Sequence, residues 1–288
     1  MMTEAKYWHN TPKGVQCDLC PHECNIAEGH RGICRSRINE GGRLYSEVYG
    51  KPCAVAIDPV EKKPLMRFHP GTKCFSIACT GCNFHCLNCQ NHEISQALPS
   101  DADSIALSPE EVVETCKNAR CPSIAYTYTE PLTYFEYICD TAELARKNGL
   151  WNILVSAGYI NRQPLENLAP LLDAANIDLK FFSDETYRRI SGGTLQPVLD
   201  TLAILKQAGV HLEITNLIIP TVNDNPGMIR DMCRWLAGNG FEDCPLHFTR
   251  FFPRYKMPDI RQTPAKTIEK AIEIAREEGI RFIYSGNL

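Results

Sequence analysis

From residue 74 onward, short apolar and β-branched runs alternate with amphipathic stretches, and this rhythm constrains the fold more than any other feature of the chain. The runs Cys74–Cys79, Ser123–Thr129, Trp151–Ser156, Ala175–Lys180, Leu212–Ile219, Pro245–Phe251 and Arg281–Ser285 have the composition of strands. Helical patterns fill the gaps. One opens with Ser108 as N-cap, Pro109 in the first helical position and Glu111 three residues after the cap, which is a capping box. Others cover roughly 134–148, 196–208, 228–237 and 264–278. Sustained strand–helix alternation implies a parallel sheet, either open or curled into a barrel.

In parallel barrels the working residues lie at the C-terminal ends of strands. Polar residues fall there repeatedly: Glu130 in TYTEP, Ser156 and Gly158 in VSAGY, Asp178 and Lys180 in DLK, and Asn216 late in the next strand. Asp178 and Lys180, two apart on a strand, share a face, while Ile177, Leu179 and Phe181 take the other. The pair therefore faces the barrel interior or its rim, where charges need partners. Glu130, taken alone before Pro131, reads as a solvated charge at a helix start. His247 and Arg250 on the sixth strand read as structural. His85 and His92, near the cysteines that follow strand one, read as solvated or hydrogen-bonded side chains.

The chain has 15 cysteines in 288 residues. Cys82, Cys86 and Cys89 form Cys-x3-Cys-x2-Cys, a spacing expected by accident on the order of a few hundredths of a time per chain of this composition. A [4Fe–4S] cube takes four ligands, so three thiolates leave one iron open for chemistry. Cys79 offers a fourth thiolate and a closed electron-transfer cluster, and zinc is a further alternative, but Cys79 ends an alternating strand pattern and is expected to stay in it. A second set, Cys17, Cys20, Cys24 and Cys34, packs four thiols among the turn formers Pro21, Gly29 and Gly32. Structural zinc and an auxiliary iron–sulfur cluster are both open there. Cys53, Cys116, Cys121, Cys139, Cys233 and Cys244 read as small buried residues. The chain thus divides into two units: a Cys-rich metal-binding segment, residues 1–50, and a barrel, residues 51–288.

The net charge of −4 gives no case for nucleic-acid binding, and no run of 18 or so apolar residues offers a membrane span. The start, MMTEAKYWHNTPKG, lacks an apolar signal core, and the bunched, odd-numbered cysteines argue against a disulfide framework. The expected location is the cytoplasm.

The segments GCNFHCLNCQNHEIS, SIAYTYTEP, DLKFFSDETYRRISGG, TNLIIPTVND and FTRFFPRYKMPD resemble the radical S-adenosylmethionine (SAM) superfamily, and within it the AmmeMemoRadiSam-system enzymes, relatives of the pyruvate formate-lyase activating enzymes. The likeness runs from about Cys17 to Asn287. It implies a partial (β/α)6 barrel with a small Cys-rich N-terminal extension. It also implies that Cys82, Cys86 and Cys89 ligate a [4Fe–4S] cluster whose open iron holds SAM, which is cleaved reductively to a 5′-deoxyadenosyl radical. Glu130 takes the place of the glutamate that binds the SAM ammonium, with Tyr128-Thr129 ahead of it rather than two glycines. Ser156 faces the ribose, with Gly158 and Asn216 as further cofactor contacts, and Asp178 and Lys180 match an Asp-x-Lys element beside SAM and substrate. Asn88 stands where an aromatic residue usually packs on the adenine. The implied partners are SAM, an electron donor such as flavodoxin or ferredoxin, and either a Memo-type or a glycyl radical protein. Family members often continue past the last strand, so a chain stopping at Leu288 is expected to leave that end less covered. The reading outside this chemistry is a non-catalytic iron–sulfur electron-transfer protein.

Overall fold

The structure, a computed structural model, describes residues 2–286. Asn287 and Leu288, where the family resemblance and the chain end, lie outside the described residues. Six short strands come first: β1 (Thr3–Glu4), β2 (Trp8–Thr11), β3 (Gly14–Cys17), β4 (Asn25–Ile26), β5 (Arg37–Glu40) and β6 (Arg43–Ser46). They pair antiparallel in two three-stranded sheets, ordered β1-β6-β5 and β2-β3-β4.

The central sheet comes next, built from β7 (Pro52–Pro59), β8 (Lys73–Cys79), β9 (Ser123–Tyr126), β10 (Trp151–Ser156), β11 (Ala174–Asp178), β12 (His211–Ile218), β13 (Leu246–Arg250) and β14 (Ile283–Gly286). Neighbours keep chain order. Every pair from β8 to β14 is parallel, whereas β7 runs antiparallel to β8. The edges are β7 and β14, so the sheet does not close on itself. The helices are α1 (His92–Ser95), α2 (Pro109–Asn118), α3 (Phe135–Lys147), α4 (Arg162–Leu168), α5 (Asp184–Thr186), α6 (Gln196–Gln207), α7 (Pro226–Gly238) and α8 (Ala265–Glu277). The expected capping box is formed at α2: Ser108 Oγ accepts from Glu111 N at 3.2 Å and Glu111 Oε2 from Ser108 N at 2.7 Å. In α8 the buried residues Ile268, Ala271, Ile274 and Ala275 recur at helical spacing and turn one face to the core. No helix among the described residues is long and apolar enough to cross a membrane.

Two strands end earlier than the sequence suggests. β9 stops at Tyr126, and Tyr128 takes φ +65°, so the chain bends and carries Glu130 in a loop. β11 stops at Asp178, two residues before Lys180. Nothing in the strand–helix rhythm announces the antiparallel β7, and the segment after it shapes the sheet's lower end. Residues 60–72 close the end where the parallel strands begin, with Val60, Leu65 and Phe68 packed against Cys74, Ala125, Ile153 and Ala174. Burying Leu65 alone is worth about 1.5–3 kcal/mol. Glu213 of β12 fastens this plug, accepting from Met66 N at 3.0 Å and Arg67 N at 2.8 Å, while Asn176 Nδ2 donates to Pro64 O at 2.9 Å.

The N-terminal strands pack against α3 and the loops that follow β8 and β10. Their buried Val15, Leu19 and Leu44 belong to the same apolar cluster as the barrel helices. Arg37 of β5 pairs with Glu136 of α3 at 2.6 Å with both side chains buried. Asn161 N donates to Leu19 O at 3.0 Å.

Candidate active site

The loop after β8 carries the cysteine triad, and its path is fixed from outside. Gly81 has φ +108°, and a Cβ there would lie 2.5 Å from the Cys34 carbonyl oxygen, so only glycine fits. A π-helical turn, Tyr187–Ser191, then holds the loop from below: His85 N donates to Ser191 O at 2.8 Å and Leu87 N to Ile190 O at 3.0 Å. Each sulfur has a polar neighbour. Phe84 N donates to Cys82 Sγ at 3.3 Å, Cys86 Sγ lies 3.2 Å from Ser191 Oγ, and Cys89 Sγ lies 3.2 Å from Ser95 Oγ. Hydroxyls rotate, so both serines can donate once the thiols are deprotonated. Burial pushes the Cys82 thiol far up, with the Glu130 charge adding to it; burial also raises Cys86, against the pull of Lys180. A metal ligated by Cys82 and Cys86 would take the place of their protons and offset that burial cost.

The three thiols border a cavity of about 590 Å³, large enough for a small-molecule ligand. Glu130, Ser156, Asp178 and Lys180 line the same cavity. Glu130 is buried rather than solvated, because three donors compensate its desolvation: Ser156 Oγ at 2.6 Å and Leu132 N at 3.1 Å on Oε1, and Ala157 N at 2.8 Å on Oε2. Burial still raises its carboxyl pKa. An added cation would favour the ionised form. Lys180 Nζ reaches Asp178 Oδ2 at 2.7 Å. Burial works against the Lys180 ammonium, but Asp178 and Cys86 outweigh it and hold its pKa above the ordinary value. Asn88 also lines the cavity, and its Oδ1 is buried with no hydrogen-bond partner.

Two expected cofactor contacts lie elsewhere. The neighbours Thr215 and Leu217 line the cavity, and strand alternation turns Asn216 to the opposite face, where Nδ2 donates to Leu179 O at 2.7 Å and Lys180 O at 3.2 Å. Gly158, at φ +68°, backs onto Ile177 and Thr201 and accepts Thr201 Oγ1 at 2.7 Å. Both shape the rim rather than line the cavity. Cys79 stays in β8, fully buried and away from the cavity. His85 bonds Gln96, His92 stacks on Tyr255, and His247 pairs with Glu213 at 2.6 Å. Arg250 Nε donates to Thr263 O at 2.7 Å. Of the cysteines read as buried, Cys53 and Cys244 are only part-buried.

Ser95, Ser191 and Tyr128 carry no signal in the sequence that sets them apart. Tyr128 lines the cavity, and its hydroxyl donates to Asp58, which also binds Lys62 and the buried Lys63. Among the described residues, no three Cys, His, Asp or Glu side chains meet closely enough to hold a single metal ion. The three thiols line the cavity together.

The profile of the radical SAM superfamily matches residues 76–236, more than half of the chain. An uncharacterized protein of Methanocaldococcus jannaschii is 44% identical over all of this chain and 86% of its own length. A pyruvate formate-lyase 1-activating enzyme of Escherichia coli K12 is 20% identical over 71% of this chain and 89% of its own. Among solved structures, Streptococcus suis SuiB bound to S-adenosylmethionine superposes with a TM-score of 0.57 over 72% of this chain and 48% of that one, at 11% identity, a likeness of fold. Members of this family use a [4Fe–4S] cluster and SAM, and the chain is an enzyme that belongs to the radical SAM superfamily.

Proposed function

We propose that this enzyme binds SAM beside a [4Fe–4S] cluster on Cys82, Cys86 and Cys89, cleaves it reductively, and abstracts a hydrogen atom from a substrate held over Asp178 and Lys180. The observation that carries this reading is the single cavity shared by three thiols, a buried carboxylate and a charged Lys–Asp pair. A cluster held by these thiols would supply the one electron whose transfer to SAM breaks its S–C5′ bond, giving methionine and a 5′-deoxyadenosyl radical. The protein's part is placement and protection. Glu130, locked by Ser156, Ala157 and Leu132, presents an immobile negative charge to the SAM ammonium. Ser156 holds that carboxylate and, lining the cavity, would also be a contact for the SAM ribose. Lys180, kept charged by Asp178, offers a donor to an anionic or carbonyl group of SAM or substrate.

Activating enzymes among the relatives favour one form of the substrate, a glycine in a partner protein. A Memo-type partner is the other, with flavodoxin or ferredoxin as electron donor. The test is anaerobic reconstitution, reduction and addition of SAM. A SAM-dependent shift of the cluster's EPR signal and formation of 5′-deoxyadenosine are expected. A spectrum indifferent to SAM, with no nucleoside released, would overturn the reading and leave an electron-transfer protein.

A further inference from the structure

Four cysteines take no part in the site above. Cys17, Cys20, Cys24 and Cys34 line a second pocket, formed where the N-terminal strands meet the barrel residues Asn83 and Tyr159. Cys17 ends β3, Cys24 precedes β4 and Cys34 lies ahead of β5, so strand pairing brings together thiols from three segments.

Three observations converge on an occupant. Arg37 lines the pocket while 1% exposed; one guanidinium nitrogen lies 3.8 Å from Cys17 Sγ and another pairs with Glu136. Its Nε–H is buried without a partner. A buried orphan donor is costly, and an acceptor inside the pocket would satisfy it. Next, all four thiols line this one pocket. A tetrahedral zinc would draw its sulfurs to ~2.3 Å from one centre. No three thiols are drawn together in that way among the described residues, and the same holds for Cys82, Cys86 and Cys89. Last, the two cysteine sets touch through backbone. Gly81, next to Cys82, presses against the Cys34 carbonyl, and Asn83, between Cys82 and Cys86, lines the second pocket and accepts from His22 Nε2 at 2.8 Å.

We propose that Cys17, Cys20, Cys24 and Cys34 ligate a second iron–sulfur cluster, with Arg37 donating to it, directly behind the loop of the first. The site goes beyond the SAM reading, while the expected half shares of iron rest on the first cluster that reading places on Cys82, Cys86 and Cys89. The experiment compares the reconstituted full-length wild type with two variants. One is the triple variant Cys82→Ala, Cys86→Ala, Cys89→Ala; the other is the double variant Cys20→Ser, Cys24→Ser. The triple variant is expected to retain roughly half the wild-type iron, with matching acid-labile sulfide and an EPR signal on reduction. The double variant is expected to lose roughly half the iron and still respond to SAM. The reduced wild type is expected to show spin–spin broadening absent from both variants. An iron-free triple variant, zinc in place of iron, a double variant with full iron, or a wild-type spectrum equal to the sum of the two variants would each overturn the proposal. Loss of the SAM response in a double variant that keeps its half of the iron would count against the first site instead.

Discussion

Replacing Glu130 by glutamine keeps the side chain's shape and removes its charge, which separates what this residue does for the fold from what it does for a ligand. Both carboxylate oxygens accept from donors that cannot reverse: Leu132 N faces Oε1 and Ala157 N faces Oε2. Whichever way the amide turns, its NH2 meets a backbone N–H, and one buried donor goes unpaired at a cost of about 1–3 kcal/mol. If Glu130 holds the SAM ammonium as proposed, removing the charge also costs that charge-assisted bond, about 1.5–3 kcal/mol, or roughly 10- to 150-fold in SAM affinity. Ser156→Ala keeps the charge and removes one of three donors, so a loss of about 0.5–1.5 kcal/mol is expected. Because burial raises the Glu130 pKa, and only the ionised form pairs with ammonium, wild-type affinity should fall as pH drops through that raised value. The glutamine variant should lack this pH dependence. Titration calorimetry on anaerobically reconstituted protein, alongside thermal melts, reads both effects. A glutamine variant that melts lower yet binds SAM as the wild type does would reduce Glu130 to a structural cap of the turn after it.

Packing sets three further expectations. Burial pushes the Glu213 carboxyl up, but donors from His211, His247, Met66 N and Arg67 N outweigh it and hold its pKa at about 2, against 4.5 ordinarily. That shift, about 3 kcal/mol, stabilises the fold above the ordinary value and is lost as pH falls through about 2. The stability gap between wild type and Glu213→Gln in urea should therefore narrow across that window, and a gap independent of pH would contradict the account. Gly81→Ala should cost about 2–4 kcal/mol, because it adds a left-handed residue and a collision with the Cys34 carbonyl. Gly71→Ala, also at positive φ but with nothing within 4 Å, should cost about 1 kcal/mol; equal costs in denaturant would refute the collision. Cys79→Ala should leave the iron content unchanged, because Cys79 is buried in β8 outside the cavity, whereas loss of one cluster in the metal analysis would restore the four-ligand alternative.

Periodicity made the parallel sheet legible, because strands buried on both faces, such as β9, carry no charged residue, and the helices between them are amphipathic. The capping box is a local device and could be located from three residues. Asp178 and Lys180 were legible as a pair, although Lys180 lies beyond the end of β11 and its long side chain, rather than strand alternation, brings Nζ to Asp178. Glu130 was not, since its burial depends on Ser156 and Ala157 arriving from another strand. Asn216 carried the right chemistry and sits in the right strand, but it falls one residue out of phase with the cavity. The plug at residues 60–72 and the serines beside the thiols left no pattern, because their contacts join segments far apart in the chain.

The clasp between the Cys86 loop and the turn at Ser191 spans 105 residues of sequence. A growing polypeptide exposes the three thiols long before it has made the segment that shapes them. Until Tyr187–Ser191 has been made and has wound, Leu87 N and His85 N lack the carbonyls of Ile190 and Ser191 and bond water instead, so the loop that carries the sulfurs is not held. Contacts of such long range form late because they must first overcome the entropy of closing the intervening chain. A cluster held as proposed on these three thiols would therefore meet its shaped binding loop only after the segment to Ser191 has been made and packed.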